Sequence, residues 1–189
     1  MKQHFHFKVH KPYGYLSQFV GEKATQKKLG ELYPFPEGTM AIGRLDQDSE
    51  GLLLLTTDGK QSEWIRSRAI EKEYWAQLDG DISEFGLESL RLGVEIILEN
   101  VKYQTIPCRV EKMTKTPDIQ ARSKKIRGNH HGPTSWISIV LTEGKFRQVR
   151  KMTAAVGFPT LRLIRVRIGE FHLGEMKQGE VEEVNGFFS

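Results

Sequence analysis

The chain has 189 residues, of which 38% are hydrophobic and 28% charged. That is ordinary for a soluble globular protein, with length enough for one good core or for two small lobes sharing one. The formal net charge of +4 fits a polyanionic partner. The single cysteine, Cys108, excludes an internal disulfide and a cysteine-rich zinc site, and it reads most simply as a reducing, cytosolic setting. The segment Met1 to His10 has no apolar core, so it does not read as a signal peptide. The longest apolar run is far too short to span a bilayer, so no membrane partner is expected.

Phe5, Phe7 and Val9 alternate with His4, His6, Lys8 and His10, which predicts a strand with one buried face. Lys11-Pro12-Tyr13-Gly14 ends it in a turn. Gly30 to Gly38, with Pro34 and Pro36, reads as a loop. The apolar run Leu52–Leu55 is strand-length and predicts a buried strand. Asp58 caps a short helix through Trp64 and Ile65. Glu73 to Leu78 reads as a strand with Tyr74, Ala76 and Leu78 on one face. Ser83 caps a helix with Leu87 and Leu90 on its apolar side and Gly93 as its stop. Further strands are expected over Val101–Lys112 and Ser135–Thr142. Between them lies a long basic loop, roughly residues 112–133, whose length points to a function or to solvated disorder. Val149, Met152, Thr153 and Val156 recur at helical spacing before Gly157, and Thr160–Ile168 is an arginine-studded strand. Strands and helices are interspersed, with links too short for a doubly wound sheet, so the fold class is α+β.

Three groups carry chemistry. Gly43-Arg44-Leu45-Asp46-Gln47-Asp48-Ser49-Glu50-Gly51 places Asp46 on a loop entering the leucine strand, close to Arg44. A carboxylate beside a guanidinium stays ionised at neutral pH, as a nucleophile or base requires. A plain turn aspartate remains the alternative. Calcium is excluded because the twelfth loop position is Thr57 rather than a bidentate glutamate. A magnesium-binding aspartate pair would need further converging carboxylates, which nothing singles out. The second group is Gly144 to Met152, where Arg147, Arg150 and Lys151 are spaced to share one helix face. With Arg162, Arg165 and Arg167 they favour planar recognition of phosphates and bases; a solvated helix face is the alternative. The third is Lys72-Glu73-Tyr74, in which Tyr74 is either a core tyrosine or a surface for stacking a base. The histidines do not cluster as metal ligands, and no P-loop, dinucleotide fingerprint or Ser-His-Asp order is present.

Taken together, these segments resemble the pseudouridine synthases, specifically the RsuA-type family that modifies ribosomal RNA. Lys11-Pro12-Tyr13 looks like its opening signature, and Gly43–Asp46 with Ser49–Thr56 looks like its catalytic motif. Lys72-Glu73-Tyr74 resembles its Lys-x-Tyr motif. Glu143–Met152 and Leu163–Gly169 resemble the two closing motifs. Pro133–Trp136 and Val156–Arg165 also look like the S4-lacking branch known as RluE, which acts on 23S rRNA.

The resemblance implies one catalytic domain over residues 1–189, without an S4 module. It implies a mixed or antiparallel sheet in two sublobes, roughly 1–60 plus C-terminal segments and 70–145, around a central catalytic cleft. It implies isomerisation of uridine to pseudouridine in 23S rRNA or a large-subunit assembly intermediate, with no cofactor and no metal; a cytoplasmic setting follows from the lone cysteine, and a monomer is expected because no exposed apolar stripe stands out. Asp46 is then the essential carboxylate, Tyr74 stacks on the flipped uracil, and Arg150 orients Asp46, with Arg147 as second choice. Arg44 fills the space left by the flipped base or holds a flanking phosphate. Leu163 or Ile164 packs against the base. Lys11, Lys151, Arg165, Lys124, Lys125 and Arg127 complete the RNA contacts. A non-catalytic RNA-binding or ribosome-assembly module is the competing reading; it would need the arginines and Tyr74 but not Asp46.

Overall fold

Four consecutive leucines have no polar face to offer water, and the computed structural model of the chain buries all of them. They lie in β3 (Glu50–Thr56), every residue of which is buried. The structure describes residues 3–67, 70–126 and 132–187. The chain divides into two compact units, one made of Met1–Ile70 with Arg165–Ser189 and the other of Glu71–Ile164.

In the first unit, β1 (His6–Lys11) lies between β3 and β11 (Val181–Val184), antiparallel to both. β2 (Met40–Ile42) pairs with the far end of β3. The register sets Phe7 opposite Leu55 and Val9 opposite Leu53. These four join Leu29 in a core edged by Phe19, Leu32 and Phe35. Asp58 Oδ1 accepts from the amides of Lys60 and Gln61, which caps α1 (Gly59–Ser67) as expected.

The alternation of β1 predicts one solvent face, and the structure covers both. His6 and His10 are only 6% and 8% exposed. The His6 ring meets Phe187 edge-on at 5.4 Å, and its Nδ1 shares a hydrogen bond with Thr56 Oγ1 at 3.0 Å. His10 Nδ1 donates to Met176 O at 2.8 Å. Phe187 and Met176 lie more than a hundred positions away in sequence, and Thr56 fifty, where a local period cannot register them. Burial lowers the pKa of His6.

In the second unit, β4 (Lys72–Asp79), β8 (Thr134–Leu141) and β7 (Arg109–Lys112) form an antiparallel sheet in the order β4-β8-β7. Two helices pack with it, α2 (Glu84–Leu92) and α3 (Gln148–Ala155). Ser83 accepts from the Gly86 amide, and Gly93, at φ +92°, ends α2. Ala76, Leu78, Leu87, Leu90, Ile137, Ile139, Val149, Met152 and Leu163 share the core.

The single strand expected over Val101–Lys112 is two, β6 (Val101–Gln104) and β7, interrupted around Pro107. β6 pairs with a strand not foreseen, β5 (Glu95–Leu98), across Glu99 and Asn100. Both turn residues take the left-handed conformation, φ 49° and 67°, which a tight hairpin demands.

The described part of the basic loop, 113–126, forms no helix or strand but is tied down. Arg162 Nη2 donates to Gln120 O at 2.8 Å, and Arg122 Nη1 donates to Leu161 O at 3.2 Å. β9 (Thr160–Ile168) carries the chain from the second unit into the first, where β10 (Phe171–His172) pairs with its end. Antiparallel pairing in both units, with three short helices among the described residues, is an α+β fold.

One position in the first unit admits only glycine. Gly51 opens β3 at φ +106°, and a Cβ there would sit 2.2 Å from Arg165 O. Gly51→Ala is therefore expected to destabilise the fold by about 3 kcal/mol or more in urea melts, a strained φ adding to a backbone clash. Gly59→Ala, which meets nothing within 4 Å, should instead be neutral or stabilising by a few tenths of a kcal/mol. Equal effects at the two positions would contradict the packing described.

Candidate active site

Asp46 sits on the loop that enters β3, half-buried, between two anchors. On one side Leu45 is clamped by Ser17: its amide donates to Ser17 Oγ at 2.9 Å, and the hydroxyl donates to Leu45 O at 2.8 Å. On the other side Gln47 and Gly14 exchange bonds: Gly14 N donates to Gln47 O at 2.8 Å, and Gln47 Nε2 donates to Gly14 O at 3.0 Å. A turn closes beneath the carboxylate through Ser49 N to Asp46 O, 3.0 Å. The backbone of Asp46 is thus held at three points while Arg44, two residues earlier, is exposed. The sequence reading missed Ser17 and Gly14. A serine in a loop carries no periodic signal, and its partner lies 28 positions away.

Two of the expected RNA contacts lie buried in the structure. Lys11 is 0% exposed and Arg165 3%, so neither presents its charge to a phosphate at the surface. Lys11 Nζ donates to Tyr15 O at 2.7 Å and Pro12 O at 3.1 Å. Arg165 Nε donates to Leu52 O at 2.8 Å. Both side chains are tied to backbone carbonyls of the first unit, and the charge of Glu50, itself 0% exposed, acts on Lys11. Desolvation pushes the Lys11 ammonium down to about 7, against the pull of Glu50, Asp46 and Asp48. A neutral amine keeps two hydrogens, enough for the two carbonyls it meets.

The second unit places its own group. Tyr74, on β4, packs half-buried against the core. Arg147 does not share the exposed helix face of the sequence reading. It is the N-cap of α3 and takes a left-handed backbone, φ 53° and ψ 33°. Few non-glycine residues do so, and they concentrate at functional positions. Arg150 is half-buried, with Nη1 donating to Thr160 O at 3.3 Å. Lys151 Nζ donates to Ile97 O at 2.6 Å. Leu163 and Ile164, read as a floor for a base, are 5% and 2% exposed, and Leu163 belongs to the core of this unit. Lys124 and Lys125 are exposed on the basic loop, whereas Arg127 lies outside the described residues. Cys108, half-buried, donates to Leu90 O, and burial pushes its thiol up to about 11. Among the described residues no three His, Cys, Asp or Glu side chains are grouped to hold a metal ion, and no helix is long and apolar enough to cross a membrane.

The family model of RNA pseudouridylate synthases matches residues 6–155, a span holding the Asp46 loop, Tyr74 and Arg150. The chain belongs to that family and is an RNA pseudouridine synthase. It is 42% identical over 176 residues to ribosomal large subunit pseudouridine synthase E of Vibrio parahaemolyticus serotype O3:K6, covering 92% of this chain and 71% of the relative. It is 39% identical over 174 residues to the enzyme of the same name from Xanthomonas campestris pv. campestris, covering 91% of each. A solved pseudouridylate synthase matches it with a TM-score of 0.76 and 26% identity, over 98% of this chain and 72% of that one. These likenesses agree with the resemblance read from the motifs.

Two outcomes follow from this geometry. Ser17→Ala removes both bonds of the Leu45 clamp and loosens the backbone before Asp46. If Asp46 is the reacting group, turnover should fall roughly tenfold with little change in RNA affinity, since small misplacements of such a group are costly; unchanged turnover would show the clamp to be dispensable. The second concerns pH. Between about 7 and the ordinary 10.5, the folded chain holds Lys11 with fewer protons than the unfolded chain. Stability therefore rises with pH across that window, and the burden of the buried charge is full below it. Urea midpoints measured at pH near 7 and near 9 should diverge in favour of the wild type relative to Lys11→Met. Parallel pH dependence in the two proteins would show that Lys11 does not titrate there.

Proposed function

We propose that this enzyme isomerises one uridine of 23S ribosomal RNA, with Asp46 as the essential carboxylate. The observation that carries the reading is the likeness, at 39–42% identity over most of the chain, to enzymes named for the ribosomal large subunit. In the reaction the C1′–N1 bond of the uridine breaks, the base turns, and a C1′–C5 bond forms. The hydrogen leaves C5 and a proton is returned at N1, so the atoms balance with no oxidant or co-reactant.

The uridine must leave its helix to be reached, at a cost of roughly a few kcal/mol. In our reading Tyr74 stacks on the extruded uracil. Asp46 acts on the nucleotide from a loop whose backbone is already fixed, so little ordering remains for the reaction itself. In this reading Arg150, with Arg147 as the second choice, supplies the guanidinium that keeps the reacting carboxylate ionised. Exposed Arg44, Lys124 and Lys125 meet phosphates. We further infer that the enzyme works in the cytoplasm as a monomer.

The test is pseudouridine mapping of 23S rRNA, and of assembling large-subunit particles, from cells lacking the gene, after incubation with purified protein. The wild type should create one new site. Asp46→Asn should bind the RNA but lower turnover by roughly a thousandfold or more. A new site made equally by Asp46→Asn would remove Asp46 from catalysis. Binding without any new site would favour the non-catalytic module. Tyr74→Phe should retain more activity than Tyr74→Leu, and equal losses would speak against stacking.

A further inference from the structure

Phe146 is 70% exposed, and unlike Phe85, which is 83% exposed, it has a lysine over its ring. It stands in the turn that opens α3, and the turn is closed from both ends. Gln148 N donates to Lys145 O at 3.1 Å, and Lys145 N donates to Gln148 Oε1 at 3.0 Å. The left-handed Arg147 completes this turn. The ring is therefore presented by a fixed backbone rather than carried on a loose loop.

Its surroundings are cationic and aromatic. Lys151 Nζ lies over one face of the Phe146 ring, 5.3 Å from its centroid, and is held by its bond to Ile97 O, so the opposite face is the one that offers itself to a flat partner. Lys145 Nζ lies 4.9 Å from the ring of Tyr103. The nearby carboxylate of Glu143 is occupied, accepting from Tyr103 Oη at 2.7 Å and from the Ile106 amide at 2.9 Å. Beside them the β5–β6 hairpin leaves Ile97 and Val101 50% and 66% exposed. An apolar ring among Lys145, Arg147 and Lys151 matches a partner that is flat, apolar and polyanionic. Single-stranded RNA has that chemistry, with a π-face on each base and a charge on each phosphate.

We propose that Phe146 is a second stacking platform, on which an unpaired base of the substrate other than the reacting uridine lies, while Lys145 and Lys151 neutralise the adjoining phosphates. The proposal rests on the RNA-modifying reading and adds a contact to it. The platform serves binding, not the bond changes, so its loss should appear in KM and Kd and leave kcat alone.

The experiment measures binding of a short oligouridylate, of the same oligomer in duplex, and of the 23S rRNA substrate across a range of salt. Phe146→Ala should weaken single-stranded and rRNA binding about tenfold, the order expected for one base–aromatic stack, and raise KM to match. The slope of log affinity against log salt should not change. Phe146→Tyr and Phe146→Trp should restore binding. Lys145→Ala should instead lower that slope by roughly 0.7, as for one phosphate contact on a single strand. The proposal is overturned if Phe146→Ala binds and turns over like wild type. It is equally overturned if its defect is not rescued by the aromatic variants, or if it extends equally to the duplex. If the wild type makes no pseudouridine in this rRNA, the functional reading fails separately, and the oligouridylate comparison still decides the platform.

Discussion

The close approach of Gly51 to the Arg165 backbone is the constraint on which the first unit depends. β3 is buried on every residue, so its leucines fit only if the neighbouring backbone comes within a distance that no side chain on residue 51 would allow. Each buried leucine contributes about 1.5–3 kcal/mol of transfer free energy, so the strand resists displacement. The Asp46 loop leads directly into it. With the strand immobile at one end and Ser17 and Gly14 bonded to Leu45 and Gln47 at the other, the Asp46 backbone has few alternatives. A catalytic group gains from such preorganisation, because the ordering is complete before a substrate arrives.

The same burial explains an unusual electrostatic setting. Lys11, Glu50 and Arg165 are all less than 5% exposed. Buried charges are tolerated only with partners, and here the lysine and the arginine donate to backbone carbonyls. Desolvation lowers the Lys11 pKa to about 7, and its amino group satisfies two carbonyls in either protonation state. The cations that the family resemblance assigns to RNA thus divide. Some are buried and bonded to the backbone of the first unit, and others, such as Arg44, Lys124 and Lys125, remain at the surface.

What could be read from the residues was mostly local. Asp58 and Ser83 were legible as caps because an N-cap sits beside what it caps. The leucine strand was legible because it has no polar face at all. The family was legible because its motifs are contiguous runs. The rest depended on distant chain. The burial of His6 and His10 comes from residues 176 and 187, and the Leu45 clamp from residue 17. The β5–β6 hairpin was hidden because its turn, Glu99-Asn100, lacks the glycine that usually announces one. Arg147 shows the same limit in one residue. Helical periodicity put it on the exposed face, but the chain enters the helix through it in a left-handed step.

Native-state hydrogen exchange on the RNA-free protein tests the central claim most directly, that the Asp46 loop is fixed before substrate binds. The amides of Gly14, Leu45 and Ser49, bonded respectively to Gln47 O, Ser17 Oγ and Asp46 O, should be protected to a degree approaching that of β3. Exchange of these three amides at unprotected rates, slowing only when RNA is added, would show instead that the substrate itself orders the loop.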